Sequence, residues 1–299
     1  MSLLDPLDSI SRRGFLRSRA FPAACALAGL TSRAADGGRN PFAYDVEKYR
    51  KTDPRLVHYE EVAKFRSPRP SPRRLAMGPA DRLYVAAGTR VLVTNDRGEV
   101  VSEIDCGAEV RSLAVAADGL VYGGLRDHVE VFDAAGKRLA RWEAPPGRPY
   151  LTGVAVGPKG VFVADAGNRV VLRYDQAGKL LGRIGGKDPA RHIPGLVLPS
   201  PFLDVEIAPD GLLRVNNPGR HRVEAYTAEG DLELYWGKPS NAIEGFCGCC
   251  NPVNLALLSD GRVVTFEKGL PRVKVYGADG SARFTGAPRG SETMRASPV

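Results

Sequence analysis

Three cysteines lie within four residues of this 299-residue chain, in the segment Phe246-Cys247-Gly248-Cys249-Cys250-Asn251-Pro252. A thiolate is both a nucleophile and a soft metal ligand, so such a cluster predicts chemistry and not packing alone. Three interpretations are open. The thiols could form a disulfide, including one between the adjacent Cys249 and Cys250. They could also bind a metal ion, or act as a redox-active pair.

A metal site in this segment would use Cys247, Cys249 and Cys250 as ligands, and zinc or copper is the ion that thiolates favour. The spacing is tighter than the roughly two to four residues that usually separate paired zinc ligands, and a fourth ligand is needed. His192 and His221 lie in segments predicted to reach the same face of the fold, so they are the candidates for that ligand.

Two further segments, 215–222 and 266–272, bring hydrogen-bonding groups to the predicted surroundings of the cysteines. Charged and amide side chains that converge on one loop are typical of a site for an anion or a carboxylate. Each segment alone would be an ordinary solvated turn. The candidate ligand-binding residues of this site are Asn217, Arg220, His221, Asn251, Glu267, Lys268 and Arg272.

An internal repeat positions these segments. Five short apolar runs recur, each followed by a turn, and the turns lie 38 to 51 residues apart, at Asp81, Gly119, Gly160, Gly211 and Gly261. A second turn follows 17 to 19 residues after each of these, at Gly98, Gly136, Gly178, Gly230 and Gly280. Units of this length with several short β runs are typical of propeller blades. The sequence therefore predicts an all-β protein.

The third unit contains the four strands of a blade most completely, at 153–156, 161–163, 168–174 and 180–184. Its segments Gly153-Val154-Ala155-Val156, Val161-Phe162-Val163 and Asn168-Arg169-Val170 resemble the NHL repeat. The resemblance covers roughly residues 70–285 and implies an NHL-type β-propeller with six blades. Long loops follow the outer strands of the third and fourth units, and long loops often carry function.

A sixth blade is not complete in the sequence. Only an outer strand is available for it, at 57–65, and few residues follow Gly280. Propellers commonly close by pairing an N-terminal strand with the last blade, which removes the exposed sheet edge. We therefore expect six blades, with the last one incomplete or closed by the N-terminal strand, and a ring of five blades is the alternative.

The inner strand of the fourth unit carries an acid, Glu206, where other units have alanine. One step before the inner strands, the five units have Arg74, Ser112, Gly153, Asp204 and Asn254. The oxygens of Asp204, Glu206 and Asn254 predict a calcium site at the mouth of the channel, similar to that of calcium-using propeller hydrolases. The alternative is a water-filled channel that tolerates polar residues.

The first 34 residues have the features of a targeting segment. A twin arginine in Ser11-Arg12-Arg13-Gly14-Phe15 precedes an apolar stretch, and Ser32-Arg33-Ala34 resembles a cleavage site. The pattern resembles a twin-arginine (Tat) signal, which implies a periplasmic or secreted protein. The apolar stretch is too short to span a bilayer, where about 20 residues are needed, so we expect no membrane span in the mature chain.

The predicted domains are a signal peptide at 1–34, an extended segment at 35–55, the propeller at 56–285 and a disordered tail at 286–299. The mature part contains no basic run, so no nucleic-acid partner is expected. The leading hypothesis is a non-catalytic scaffold that binds a protein or small molecule through the loops of blades 4 and 5. The alternative is a metal-dependent hydrolase or lyase that works at the channel mouth.

Overall fold

The computed structural model describes residues 47–59, 61 and 64–286. The predicted signal peptide and nearly all of the predicted tail lie outside these residues. The first described elements are a short helix, α1 (Glu47–Arg50), and a 3-10 turn (Pro54–Leu56) that begins where Asp53 accepts a hydrogen bond from the backbone N–H of Arg55. None of the helices in the described part of the chain has the length and apolar character needed to cross a membrane.

Within the described residues twenty strands follow, and they form five four-stranded sheets. Blade 1 contains β1 (Pro72–Met77), β2 (Leu83–Ala87), β3 (Arg90–Thr94) and β4 (Val100–Asp105). Blade 2 contains β5 (Ser112–Val115), β6 (Val121–Gly124), β7 (Val129–Phe132) and β8 (Arg138–Arg141). Blade 3 contains β9 (Leu151–Gly157), β10 (Gly160–Asp165), β11 (Val170–Tyr174) and β12 (Leu180–Ile184). Blade 4 contains β13 (Val205–Ile207), β14 (Leu213–Asn217), β15 (Arg222–Tyr226) and β16 (Leu232–Trp236). Blade 5 contains β17 (Asn254–Leu257), β18 (Val263–Glu267), β19 (Arg272–Tyr276) and β20 (Ala282–Gly286).

Each blade is an antiparallel meander in which every strand pairs with the next along the chain. The β-propeller prediction is confirmed, and the predicted outer strand at 180–184 is found at the predicted residues. The second set of turns forms as hairpins between the third and fourth strands. All five of its glycines have a positive φ, a conformation that other residues adopt at a cost: Gly98, Gly136, Gly178, Gly230 and Gly280.

The core lies between the blades. Buried apolar side chains form one cluster between each pair of consecutive blades, such as the cluster of Tyr122, Trp142 and Tyr174 between blades 2 and 3. Middle strands are buried on both faces, which explains their continuous apolar runs. Among the described residues no such cluster joins blade 5 to blade 1.

The expectation of six blades is wrong: the structure has five. Blade 5 takes all four of its strands from one continuous stretch, so it needs no N-terminal strand to complete it. The described residues of segment 57–65 do not form the predicted outer strand. The sequence contains five complete repeat units, which is the number of blades in the structure. A sixth blade was implied only by the resemblance to the NHL repeat.

Blade 1 and blade 5 therefore keep apolar surface that a neighbouring blade would cover. Leu75 and Met77 of β1 are 63% and 59% exposed. Their equivalents in blade 5, Leu255 and Leu257, pack against blade 4. On the other side of the opening, Phe266 of β18 is 38% exposed.

Candidate functional site

Two long loops, 185–204 and 237–253, connect blade 3 to blade 4 and blade 4 to blade 5. They meet where the hydroxyl of Ser200 lies 3.0 Å from the sulfur of Cys250. Asn216, buried in β14, also joins them to the blades, because its amide donates to the carbonyls of Pro252 and Val253 at 2.9 and 3.0 Å. We call this side of the propeller the blade 4–5 face.

Three of the predicted ligand-binding residues hold these loops. The amide of Asn217 donates to Glu224 at 2.9 Å, and its oxygen accepts the backbone N–H of Val197 at 2.9 Å. The guanidinium of Arg220 donates to the carbonyls of Pro194 and Gly195. His221 hydrogen-bonds through Nε2 to the carbonyl of Gly248. The Asn217 and Arg220 contacts fix the first loop, and the His221 contact fixes the cysteine segment of the second.

The cysteine segment is fastened to the β18–β19 hairpin by Asn251 and Glu267. The amide of Asn251 donates to the carbonyls of Cys247 and Lys268 at 2.7 and 2.9 Å, and its oxygen accepts the N–H of Lys268 at 2.9 Å. Glu267 accepts the N–H of Cys247 at 3.1 Å. These side chains satisfy backbone groups of an irregular buried segment, which would otherwise lack partners.

A buried lysine that the sequence reasoning missed completes this attachment. Lys274 is 2% exposed and lies 2.6 Å from a carboxylate oxygen of Glu267. Its ammonium also donates to the carbonyls of Ile243 and Gly245 at 3.2 and 2.5 Å. Burial lowers the pKa of Lys274, and the charge of Glu267 opposes that change. The sequence does contain a signal for this buried residue, because a lysine stands between the two valines of β19.

Arg272 also stabilises the 237–253 loop. Its guanidinium donates to the carbonyls of Asn241 and Ala242 at 2.9 and 3.3 Å, and to the carbonyl of Tyr49 at 2.7 Å. The N-terminal segment is thereby attached to blade 5. Of the predicted binding residues on this face, Lys268 is the one whose charged group points outward: it is exposed, and its ammonium lies 4.3 Å from the ring centre of Phe202.

The thiols divide into an outer pair and an inner one. The sulfurs of Cys249 and Cys250 lie 3.0 Å apart, with Cys249 exposed and Cys250 buried. Cys247 is buried beneath them, with its sulfur 3.6 Å from the amide of Asn251. Burial raises the pKa of Cys250, but hydrogen bonds to Ser200 and Cys249 and the charge of Lys268 outweigh burial and lower it. The pKa of Cys249 is raised by its hydrogen bond to Cys250 and by the negative charge there.

The predicted set of metal ligands is not assembled in this arrangement. In the part of the chain that the structure describes, no group of three or more His, Cys, Asp or Glu side chains is placed to hold a metal ion. His221 uses Nε2 on the carbonyl of Gly248, and His192 lies in an exposed turn after Pro189. Zinc or copper at Cys247, Cys249 and Cys250 stays a prediction.

At the channel mouth, Arg74 takes the place that a cation would need. Asp204 is fully buried, and Arg74 donates to both of its carboxylate oxygens, at 3.0 Å for one of them. The same carboxylate accepts the amide of Asn254 and the N–H of Leu255, each at 3.2 Å. These donors satisfy Asp204, and the guanidinium of Arg74 already pairs with its charge, so the residues present do not fit a calcium ion. Arg74 and Asp204 occupy the same position in their repeat units. A base and an acid at one repeat position were the sequence signal for this ion pair.

Glu206, the third predicted channel ligand, has a strongly raised pKa. Its side chain is half-buried beside Asp204 and Arg74. Burial and the charge of Asp204 raise the pKa of Glu206 to about 8, against the opposing charge of Arg74. A carboxyl with that pKa is largely protonated at neutral pH, so it can donate a hydrogen bond as well as accept one.

Five meandering blades around a channel define a β-propeller. No protein-family model matches the sequence, and no curated protein matches it. The NHL resemblance therefore stays a prediction.

Solved structures show the same architecture. A streptogramin B lyase is 14% identical, with 74% of this chain and 70% of that chain covered and a TM-score of 0.56. A catalytically inactive virginiamycin B lyase from Staphylococcus aureus with quinupristin is 12% identical, with 75% and 73% covered and a TM-score of 0.56. A gluconolactonase from Xanthomonas campestris is 19% identical, with 72% and 76% covered and a TM-score of 0.53. At such identities the likeness shows the fold alone, because one fold hosts many functions.

Proposed function

We propose that this chain is a binding propeller that takes a ligand or partner on its blade 4–5 face. The observation that carries the proposal is the attachment of the 237–253 loop to blade 5 by buried Asn251, Glu267 and Lys274, together with its contact to the 185–204 loop through Cys250 and Ser200. A loop surface that is fixed in advance loses less conformational entropy when it binds. The twin-arginine segment supports a further part of this proposal, which is that the protein works after export.

The exposed groups of the face indicate the chemistry of the ligand. Lys268 offers an ammonium above the ring of Phe202, and Cys249 offers an accessible thiol beside Cys250. A cation next to an aromatic ring suits a ligand with a carboxylate or phosphate and an adjoining apolar part. An anionic small molecule or an acidic peptide is therefore the class of ligand that we propose.

A thermal-shift screen of carboxylates, phosphates and acidic peptides tests this function. We expect a ligand that raises the Tm of the wild-type protein and of Lys179→Ala, an exposed lysine on a blade 3 turn, but not that of Lys268→Ala. Equal stabilisation of Lys268→Ala would place the ligand elsewhere. Elemental analysis of the same protein, together with a count of free thiols, tests the metal prediction.

A second candidate function rests on Glu206. A half-buried carboxyl with a pKa of about 8, beside the guanidinium of Arg74, could act as a general acid or base on a substrate in the channel. This supports a hydrolase or lyase that does not use the predicted calcium ion. A panel of lactones and esters assayed between pH 6 and about 9.5 tests it. We expect Glu206→Gln to abolish turnover and the exposed control Glu143→Gln to retain it.

A further inference from the structure

The outer thiol pair has a geometry that the binding function does not need. The sulfurs of Cys249 and Cys250 are 3.0 Å apart, closer than two sulfurs in ordinary contact and about 1 Å longer than a disulfide bond. Neither residue is part of a disulfide in this structure. The two sulfurs must therefore approach each other by only about 1 Å to form a bond.

The two sulfurs also have different surroundings, and those surroundings suit two different steps. Cys249 is exposed, so its sulfur can meet a molecule in solution. Cys250 is buried, and its sulfur contacts Cys249 on one side and the hydroxyl of Ser200, at 3.0 Å, on the other. Cys249 is therefore placed to meet an external disulfide, and Cys250 is placed to attack the sulfur of Cys249 from the inner side.

We propose that Cys249 and Cys250 form a thiol–disulfide exchange site for small disulfides of the glutathione or cystine class. The exposed Cys249 gives its proton to the solvent, and its sulfur attacks the external disulfide and releases one thiol, which leaves a mixed disulfide on Cys249. The thiolate of Cys250 then attacks the Cys249 sulfur and releases the second thiol. One external disulfide is reduced to two thiols, and the two cysteine thiols become one disulfide after losing two protons and two electrons.

The product disulfide would be easy to reduce again. The Cα atoms of adjacent residues lie only about 3.8 Å apart, below the usual range for disulfides, so ring closure strains the bond. Strained, exposed disulfides have more oxidising potentials and exchange readily. The site is therefore a reversible one, and it would change the surface of the blade 4–5 face with the redox state of the surroundings.

The other two cysteines are placed differently. Cys106 lies in the apolar cluster between blades 1 and 2, where burial raises its pKa to about 12. Cys247 is buried behind Asn251 and the carbonyl of Lys268. A thiol that is buried away from the solvent is poorly accessible to disulfides and reacts slowly with them. These two residues thus serve as internal controls for the exchange reaction.

The test uses the full chain, reduced and freed of reductant, and then incubated with oxidised glutathione. We expect two glutathione molecules to be released per protein, and peptide mass spectrometry to find a disulfide between Cys249 and Cys250. Cys250→Ser should stop at one stable glutathione adduct on Cys249. Cys249→Ser should react at least tenfold more slowly than wild type, and Cys106→Ser should behave like wild type.

Two results would overturn the proposal. One is a wild-type protein that stops at a mixed disulfide, and the other is an internal disulfide that persists in Cys250→Ser. Cys249→Ser changes only an exposed atom, so its loss of reactivity would not reflect unfolding, and a thermal melt checks this. The reaction needs no ligand on the blade 4–5 face, so its outcome is independent of the binding function.

Discussion

Phe65 packs over Gly98 in the same way that the end of each outer strand packs over the matching turn glycine of the next blade. The equivalent contacts are made by Ile104 to Gly136, Trp142 to Gly178, Ile184 to Gly230 and Trp236 to Gly280. A Cβ on Gly98, Gly178 or Gly280 would overlap that side chain, whereas a Cβ on Gly136 would be tight against Ile104 and one on Gly230 would make an ordinary contact with Ile184. Phe65 thus occupies the position of a preceding outer strand, although the described residues around it form no strand. It is 51% exposed, whereas those four residues are buried.

The opening beside Phe65 predicts unequal effects at equivalent positions. We expect Leu75→Gln on blade 1 to change the free energy of unfolding by less than about 0.5 kcal/mol, because its side chain is 63% exposed. Leu255→Gln, at the same repeat position but 3% exposed, should cost about 3 kcal/mol or more, because it buries an amide in the core. Urea unfolding followed by circular dichroism measures both. Similar losses of unfolding free energy in the two variants would show that the exposed apolar surface of blade 1 is covered in solution.

The pair formed by Arg74 and Asp204 connects blade 1 to blade 4, so it stabilises the ring where no apolar cluster does. Arg74→Ala leaves a buried, uncompensated carboxylate, and we expect a loss of about 3–5 kcal/mol in the free energy of unfolding. Arg55→Ala removes an exposed pair with Asp53 and should have no measurable effect. Chemical denaturation at pH 7 compares the two, and equal stabilities would contradict this role.

Glu206 predicts a loss of stability as the pH rises. Its pKa is raised from 4.5 to about 8 in the folded state, so between these values the folded protein binds more protons than the unfolded chain. The stability that this group contributes is therefore complete below about pH 4.5 and is lost as the pH rises toward 8, by at most about 1.4 kcal/mol per pH unit. Glu206→Gln should flatten the decline in unfolding free energy measured between pH 5 and about 8.5. An unchanged slope would contradict the raised pKa.

The hydrogen bonds of Asn251 should control how accessible the inner thiol, Cys247, is to a reagent. Asn251→Ala removes hydrogen bonds to Cys247 and Lys268, and should cost about 1–3 kcal/mol while freeing the cysteine segment. Cys247 should then react faster with a water-soluble maleimide, as measured by peptide mass spectrometry. Asn241→Ala is the control, since the backbone carbonyl of that residue accepts from Arg272. Unchanged protection of Cys247 would show that Glu267 and Lys274 suffice.

Much of the fold could be predicted because its signals are local. Glycines at the hairpins, apolar runs in middle strands and a constant offset between turns fix each blade within about 40 residues of sequence. The number of blades was missed because a resemblance supplies a typical count, whereas the actual count depends on how many complete units the chain contains. The position of Phe65 shows why segment 57–65 looked like an outer strand.

The sequence predicts that several polar residues lie near the two long loops, as they do in the structure, but it did not reveal their hydrogen bonds. Asn217, Arg220, Asn251, Glu267 and Arg272 do lie around the two loops, but their polar atoms hold the loops and are not left for a ligand. A sequence shows which groups can donate or accept, and it does not show which backbone groups of an irregular loop need a partner. Lys274 was missed for the same reason.

The sequence by itself determined that the chain folds into propeller blades and that three cysteines share one loop, because strand periodicity and residue type are properties of short segments. The tertiary structure decided that Arg74 meets Asp204 and that Cys250 meets Ser200, 130 and 50 residues apart. These two contacts depend on the rotation between successive blades and on the paths of the two long loops. Both are set by packing between units, which no single unit encodes.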